Sequence, residues 1–404
     1  MPVWGAPHVR VTMVSRIFAP EPGAAPLRLA ALARALVHRG IPVCVITAIP
    51  PPGAGDDSDA GDIEVRRARV KRNRDGYVRG YFSYLSFDVP VVFRLLASRR
   101  PSVYVVEPPP TTGLAVRLVA SLRRRPYVYY AADVWSDAAG AVASTAITRM
   151  LRRVERWAMN GAALVIAVSD EVAQRVREIG VQAPIFVSGF GIDTDVFRVV
   201  PGIAPQDDPV LFVYPGMYAE RHGAEVFAEA LGIVLDEFPG TAHLIFCGTG
   251  TEEDAIRAAC PKRHRKAMTF QPPIAPEEVA ALMNSATVGL ASVKPDQGYD
   301  YAFATKTIAL MAAGCPVIYA GPGPAGDVVR EASELHSGCA AVEFDAEAVA
   351  DAMRRVVSQR TEHSARTEHS ARTTLSAWVH ERHSAAAVAD GVARAIVEAT
   401  RNRV

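Results

Sequence analysis

Three side chains that carry, or can carry, positive charge sit in loops that open helices, where an anion is readily held. Lys306 lies in the first turn of the helix-like stretch that begins at Thr305 and stops at Gly314. The helix dipole already makes that end positive, so a cation there is misplaced unless an anion comes to it. The plain alternative is a lysine that is merely solvated. Arg221 and His222 stand in the glycine-flanked loop PGMYAERHG at 215–223, ahead of another helix. With Lys306 they form a set suited to cradling a diphosphate. Gly216, Gly248 and Gly250 follow apolar, strand-like runs and would admit such a ligand close to the backbone. Thr305 and Thr307 place hydroxyls on either side of Lys306. The preceding loop, KPDQGYDYAFA at 294–304 with Asp300 in it, lies at the same mouth.

The first half of the chain offers a different set. Asp133 ends the apolar run 127–132 and is a candidate acid, base or hydroxyl-binding group; a strand-end aspartate that caps the next helix is the alternative. Gly23 lies in the turn-rich loop RIFAPEPGAAP, where backbone amides can approach a ligand. Asp193 and Asp195 flank Thr194, a spacing that can hold a divalent cation. They precede a Pro/Gly-rich linker rather than ending a central strand, so no metal is expected. Arg66, Arg67, Arg69, Lys71, Arg72, Arg74 and Arg79 interleave with Tyr77, Tyr81, Phe82, Tyr84 and Phe87. Such a mixture suits an anionic acceptor or a lipid headgroup surface. No nucleic-acid motif accompanies it, so a nucleic-acid partner is not expected.

These residues need elements to position them. Strand-like runs at 9–15, 41–47, 103–106, 127–132 and 164–168 alternate with helical stretches such as 26–39, which Pro26 opens and Gly40 stops. A second series follows: strands at 210–214, 242–247, 288–291 and 315–319, with helices near 224–238, 276–284 and 305–313. Strand, loop, helix, strand is the grammar of a doubly wound parallel sheet, in which ligands sit at the carboxyl ends of strands. No GxGxxG occurs, so the dinucleotide fingerprint is absent. The stretch RVVPGIAPQDDP at 198–209 reads as a linker. The expected organisation is therefore a first domain over 1–198, a second domain over 199–375, and a terminal helix over 376–404 that packs across both, with a cleft between the domains.

Composition bounds the reading. With 404 residues, 50% hydrophobic and 22% charged, the chain suits two globular domains. Its net charge of +1 conceals an asymmetry: residues 1–200 carry 26 Lys+Arg against 17 Asp+Glu, whereas 201–404 carry 18 against 26. A basic first half suggests an anionic partner or membrane surface, a solvated basic face being the alternative. Five scattered cysteines without a CxxC read as buried free thiols. No signal peptide and no apolar run long enough to span a bilayer is evident, so a cytoplasmic location with peripheral contact at the inner face of the membrane is expected. The duplicated TEHSAR at 361–372 spaces His363 and His369 six apart, which suits a surface helix or loop rather than a metal site.

Taken in order, FAPEPGAAPLRLAALARALVHRGIPVCVIT, AADVW, VIAVSDEVAQRV, GFGIDTDVF, YPGMYAERHG, IFCGTG and KTIALMAAGCPVI resemble a GT-B glycosyltransferase, similar to the retaining family 4 and to its cell-envelope polysaccharide subgroup. The resemblance covers nearly the whole chain. It implies two facing Rossmann-like domains, the first for an acceptor and the second for a nucleotide-sugar. Lys306 and Arg221 would then neutralise the donor diphosphate without a metal, with Asp133 near the acceptor hydroxyl. The acceptor would be a cell-envelope glycan, a lipid-linked glycan or a small molecule. The family's two usual glutamates are replaced by Ala309 and Tyr301, with Asp300 adjacent. Met217 follows Gly216, and His222 precedes Gly223, where the family carries Arg and Lys. These departures motivate a second expectation, a catalytically degenerate partner that stabilises or regulates an active transferase.

Overall fold

The computed structural model describes residues 10–21, 23–51, 61–72, 81–99, 101–140, 145–206, 208–297, 300–359 and 365–401. Arg74, Tyr77, Arg79 and His363, and the side chains of Tyr81 and Phe82, lie outside the described set. Two compact units divide the chain, Met1–Gly191 with Ala385–Val404, and Ile192–Ser384.

The first unit runs β1 (Val11–Val14), α1 (Ala24–His38), β2 (Val43–Ala48), β3 (Glu64–Ala68), α2 (Tyr81–Ala97), β4 (Val103–Val106), α3 (Pro110–Arg123), β5 (Tyr127–Ala131), α4 (Trp135–Gly140), α5 (Thr145–Asn160), β6 (Leu164–Ala167), α6 (Asp170–Glu178) and β7 (Ile185–Val187). Its seven strands are all parallel, in the order β3-β2-β1-β4-β5-β6-β7. Every residue of β1, β2, β4, β5 and β6 is buried, as a sheet covered on both faces requires. Ser169 caps α6 by accepting from the Val172 amide at 3.2 Å, as its place before Asp170 and Glu171 suggests.

The second unit runs β8 (Val210–Pro215), α7 (Glu225–Glu237), β9 (Ala242–Cys247), α8 (Glu253–Ala259), β10 (Met268–Gln271), α9 (Pro276–Ser285), β11 (Val288–Ser292), α10 (Lys306–Ala312), β12 (Val317–Ala320), α11 (Pro324–Ala332), β13 (Ala340–Val342), α12 (Ala346–Gln359) and α13 (Ala365–His383). Its six parallel strands are ordered β10-β9-β8-β11-β12-β13. An aromatic cluster fills one side of this core, with Phe246 stacked on Phe270 at 4.9 Å between ring centroids. The described sheets are thus the α/β, Rossmann-like pair expected from the strand pattern.

In each sheet the strand order reverses once, between β1 and β4 in the first and between β8 and β11 in the second. The loops leaving the two strands at such a point diverge and open a crevice at the strands' carboxyl ends. Arg16 and Glu107 follow β1 and β4; Arg221 and Lys306 follow β8 and β11.

The contacts divide the chain at 191/192 rather than at the expected 198, and the expected single terminal element is two helices. Arg372 of α13 donates to the carbonyls of Asn284 at 3.0 Å and Thr287 at 3.1 Å, which fixes that helix to the second unit. The last helix, α14 (Ala385–Thr400), instead packs on α1 in the first unit, with an Arg39–Asp390 ion pair at 2.6 Å. All five cysteines are buried free thiols.

Candidate functional site

In the second unit, Lys306 is the first residue of α10, with Thr305 before it. Its ammonium nitrogen is sealed from solvent and has no hydrogen-bond partner among the described residues. It lies 3.6 Å from the centroid of the Tyr214 ring, whose π-face takes some of the charge. Burial, and then the neighbouring Arg221 guanidinium, pull Lys306 down from its ordinary value to about 7. His222 belongs to the same field: burial, Lys306 and Arg221 hold its imidazole down at about 3. The loops from β8 and β11 therefore bring Lys306, Arg221 and His222 together, as the sequence led one to expect. An unpaired buried cation beside like charges is costly. An anion arriving at the crevice would remove that cost.

The loop carrying Arg221 is held by backbone. A short 3-10 turn, Glu220–His222, ends at Gly223, whose φ of 61° is left-handed. The Lys294 amide donates to the Arg221 carbonyl at 2.9 Å, and Lys294 Nζ pairs with Glu225 at 2.7 Å. Glu225, Lys294 and Tyr214 were not singled out from sequence, where only their places beside the two loops mark them.

Gly248 and Gly250 have a different physical reason from the one expected. A Cβ on Gly248 would stand 1.9 Å from the Gly216 carbonyl oxygen, and one on Gly250 would stand 2.1 Å from that of Tyr218. Their bareness lets the β8 and β9 loops lie backbone on backbone, joined by Gly216 N to Cys247 O at 2.8 Å and Tyr218 N to Thr249 O at 3.0 Å. Replacing Gly248 with Ala is expected to destabilise the second unit by about 3 kcal/mol through overpacking. A urea unfolding curve with an unchanged midpoint would contradict this. Gly216 does face the cluster: a Cβ there would lie 3.4 Å from Lys306 Nζ. Thr307 is fully buried, and its hydroxyl is sealed from solvent. Asp300 accepts from the Asp296 amide at 3.1 Å. Ala309 is 5% exposed within α10.

In the first unit Asp133 is half-buried, just beyond β5. It does not cap α4. Glu155, from α5, accepts from the Trp135 amide at 2.8 Å and the Ser136 amide at 3.0 Å. Burial raises the Glu155 carboxyl to about 7, against those hydrogen bonds. The cap was missed from sequence because it comes from 20 residues away. Asp133 therefore stands in a charged group with Glu155 and with Arg28, which pairs with Glu107 at the end of β4. Gly23, with a φ of 138°, precedes α1 and is exposed.

The basic stretch is largely internal in its bonding. Arg66 pairs with Glu64 at 2.6 Å, and Arg67 donates to the carbonyls of Ala48 at 3.1 Å and Ala19 at 2.6 Å. Arg72 pairs with Glu21 at 3.0 Å, while Arg69 and Lys71 are exposed. Asp193 accepts from the amides of Asp195 at 3.0 Å and Val196 at 3.3 Å, so its carboxylate closes a turn. Among the described residues no three His, Cys, Asp or Glu side chains cluster as metal ligands, and no helix is long and apolar enough to cross a membrane.

Residues 23–189 match the glycosyl transferase 4-like domain, and residues 209–359 match glycosyl transferases group 1. The chain belongs to the GT-B glycosyltransferase superfamily. Among solved structures this glycosyltransferase resembles the sucrose-phosphate synthase of Thermosynechococcus elongatus, at 17% identity and a TM-score of 0.74 over 98% of this chain and 100% of that one. It also resembles HepE of Anabaena in complex with UDP, at 15% identity and 0.71 over 96% and 100%. A third is WaaG, a glycosyltransferase involved in lipopolysaccharide biosynthesis, at 16% and 0.68 over 96% and 99%. At such identities the likeness is one of fold. A comparison with curated sequences returned no match.

Proposed function

We propose that the protein transfers a sugar, with retention at the anomeric carbon, from a nucleotide-sugar to a hydroxyl of a cell-envelope glycan, a lipid-linked glycan or a small molecule. The observation that carries this is the sealed Lys306 ammonium, without a hydrogen-bond partner among the described residues, beside Arg221 where the strand order of the second sheet reverses. The bond from the anomeric carbon to the diphosphate breaks, and its electron pair leaves with the phosphate. Negative charge grows there as Lys306 and Arg221 stand fixed to receive it, which lowers the barrier. The acceptor oxygen attacks from the face the diphosphate leaves, and its proton passes to the departing phosphate oxygen. Two side-chain cations on the diphosphate make a metal unnecessary to this scheme. That the similar HepE structure holds UDP favours a uridine donor, and the role of WaaG favours an envelope acceptor.

Radiolabelled UDP-glucose with lipid-linked glycan from a bacterial membrane extract tests the reading. Label is expected in the glycan with its anomeric configuration kept; inversion would contradict retention. Asp133, placed with the acceptor, gives a separable effect. Asp133→Asn is expected to lower kcat about a hundredfold, the scale of a misplaced acceptor hydroxyl, while UDP affinity stays unchanged. Equal kcat would remove Asp133 from the site.

One observation favours a second reading. Ala309 offers no carboxylate for a nucleotide's ribose, which suits a degenerate partner that stabilises or regulates another transferase. Such a protein would bind no donor.

Peripheral membrane contact is part of the proposal, and it rests on exposed helices rather than on the Arg66–Arg72 stretch, where Arg66, Arg67 and Arg72 bond within the chain. Neighbouring helices α2, α3 and α5 expose Phe93, Leu96, Leu118, Leu122, Met150 and Trp157 among the exposed Arg94, Arg124, Arg153 and Arg156. Apolar side chains interspersed with arginine suit an anionic bilayer surface. Sedimentation with phosphatidylglycerol vesicles should carry the protein down at low salt, and Phe93→Asp with Leu122→Asp should release it. Equal pelleting with neutral phosphatidylcholine vesicles would contradict the charge requirement.

A further inference from the structure

We propose that Arg16 anchors an oxyanion, a phosphate or a carboxylate, on the molecule that the first unit takes. This deepens the acceptor half of the proposed transfer and rests on that reading. Arg16 lies two residues beyond β1, where the strand order of the first sheet reverses, in the crevice position of a doubly wound fold. It is 5% exposed, yet its Nη1 is sealed from solvent without a hydrogen-bond partner among the described residues. A buried guanidinium ordinarily spends its five donors on carboxylates or carbonyls.

The surroundings hold this guanidinium without occupying it. Its carbon stands 3.8 Å from the Tyr84 ring centroid and 6.0 Å from that of Trp135. The two rings meet edge to face at 5.8 Å. Stacking fixes the plane of an arginine and leaves its edge, with the N–H fork, for a planar or tetrahedral oxyanion. Asp88 and Glu107 supply opposing charge nearby, but Asp88 Oδ1 and both Glu107 oxygens are engaged elsewhere. Asp88 Oδ1 accepts from the Thr112 hydroxyl at 2.6 Å, and Glu107 accepts from Arg28 and, at 3.1 Å, from the Ser15 hydroxyl.

A second orphan points to the same kind of ligand. Asp88, 4% exposed, leaves its Oδ2 without a partner among the described residues. A lone donor and a lone acceptor of opposite character, beside aromatic rings, suit one molecule that carries both an oxyanion and hydroxyls. An acidic sugar is that molecule, phosphorylated or a uronate. A purely structural role would have Arg16 and Asp88 balance each other and bind nothing.

Calorimetric titration of the full chain with glucose 6-phosphate, glucuronate, inorganic phosphate and neutral glucose separates these cases. At least one anion should bind tenfold or more tightly than glucose, on the order of a charge-assisted fork. A preference for the phosphates or for glucuronate identifies the oxyanion. Arg16→Gln should abolish the preference, with circular dichroism confirming its fold; Arg16→Lys, which keeps the charge but not the fork, should weaken it and carries the test if the Gln variant unfolds. UDP affinity should be the same in all three proteins. Loss of UDP binding in the wild type would defeat the donor reading and leave the anion preference standing or falling by itself. Anions that bind no better than glucose, or a preference that survives Arg16→Gln, would overturn the proposal.

Discussion

Replacing Lys306 with Met should lower sugar transfer by about 10²–10³-fold, the scale of losing one preorganised stabiliser of transition-state charge. Met keeps the length and apolar stem of lysine and removes only the charge. It also relieves a strained arrangement, because the ammonium it replaces is buried against Tyr214 and repelled by Arg221. The free variant should therefore be as stable as the parent, or more so, while nucleoside diphosphate affinity falls. That pairing separates a binding role from a structural one. Loss of stability with unchanged kinetics would make Lys306 a core residue.

The second large effect is in pH. Lys306 titrates near 7 in the free protein, well below its ordinary 10.5. A diphosphate placed against it favours the charged form and raises that value. Above pH 7 each binding event must then take up a proton. Affinity for a nucleoside diphosphate should fall by about tenfold per pH unit between 7 and 9. The terminal phosphate is already ionised over most of that range, so the slope belongs to the protein. Stability runs the other way. Unfolded Lys306 keeps its proton to about 10.5 whereas folded Lys306 gives it up near 7, so the unfolded state binds more protons in that window. This group's cost to the free protein is fully present below pH 7 and fades as pH rises. Titration in buffers of different ionisation enthalpy counts the proton directly. Affinity that is flat from pH 7 to 9, with no proton uptake, would contradict the account.

What was legible in the sequence follows from burial. Strands covered on both faces, such as β4 and β8, are continuous apolar runs and could be read directly. The short partly exposed strands β3, β7, β10 and β13 could not. In β3, EVRRA, the arginines looked like a binding surface, but Arg66 and Arg67 spend donors on Glu64 and on backbone carbonyls. The Lys306–Arg221–His222 cluster was legible because helix starts and glycine-flanked loops mark strand ends. Arg16, Glu107 and Glu155 were not. Their significance lies in who pairs with whom: Glu107 with Arg28 across 79 residues, Glu155 with the start of α4, and Arg16 with nothing at its Nη1 among the described residues. No local spacing records such pairings. The glycines show the same limit from the other side. Residue type foretold a close approach at Gly248 and Gly250, but the approaching group is the chain's own backbone.

Calorimetric titration of the purified protein with UDP, GDP and ADP at pH 7, with and without magnesium, tests the central claim most directly. The account predicts that one of the three, with UDP favoured, binds without magnesium and that Lys306→Met loses the binding. A folded protein that takes none of them, or takes one only with magnesium and regardless of Lys306, would contradict it.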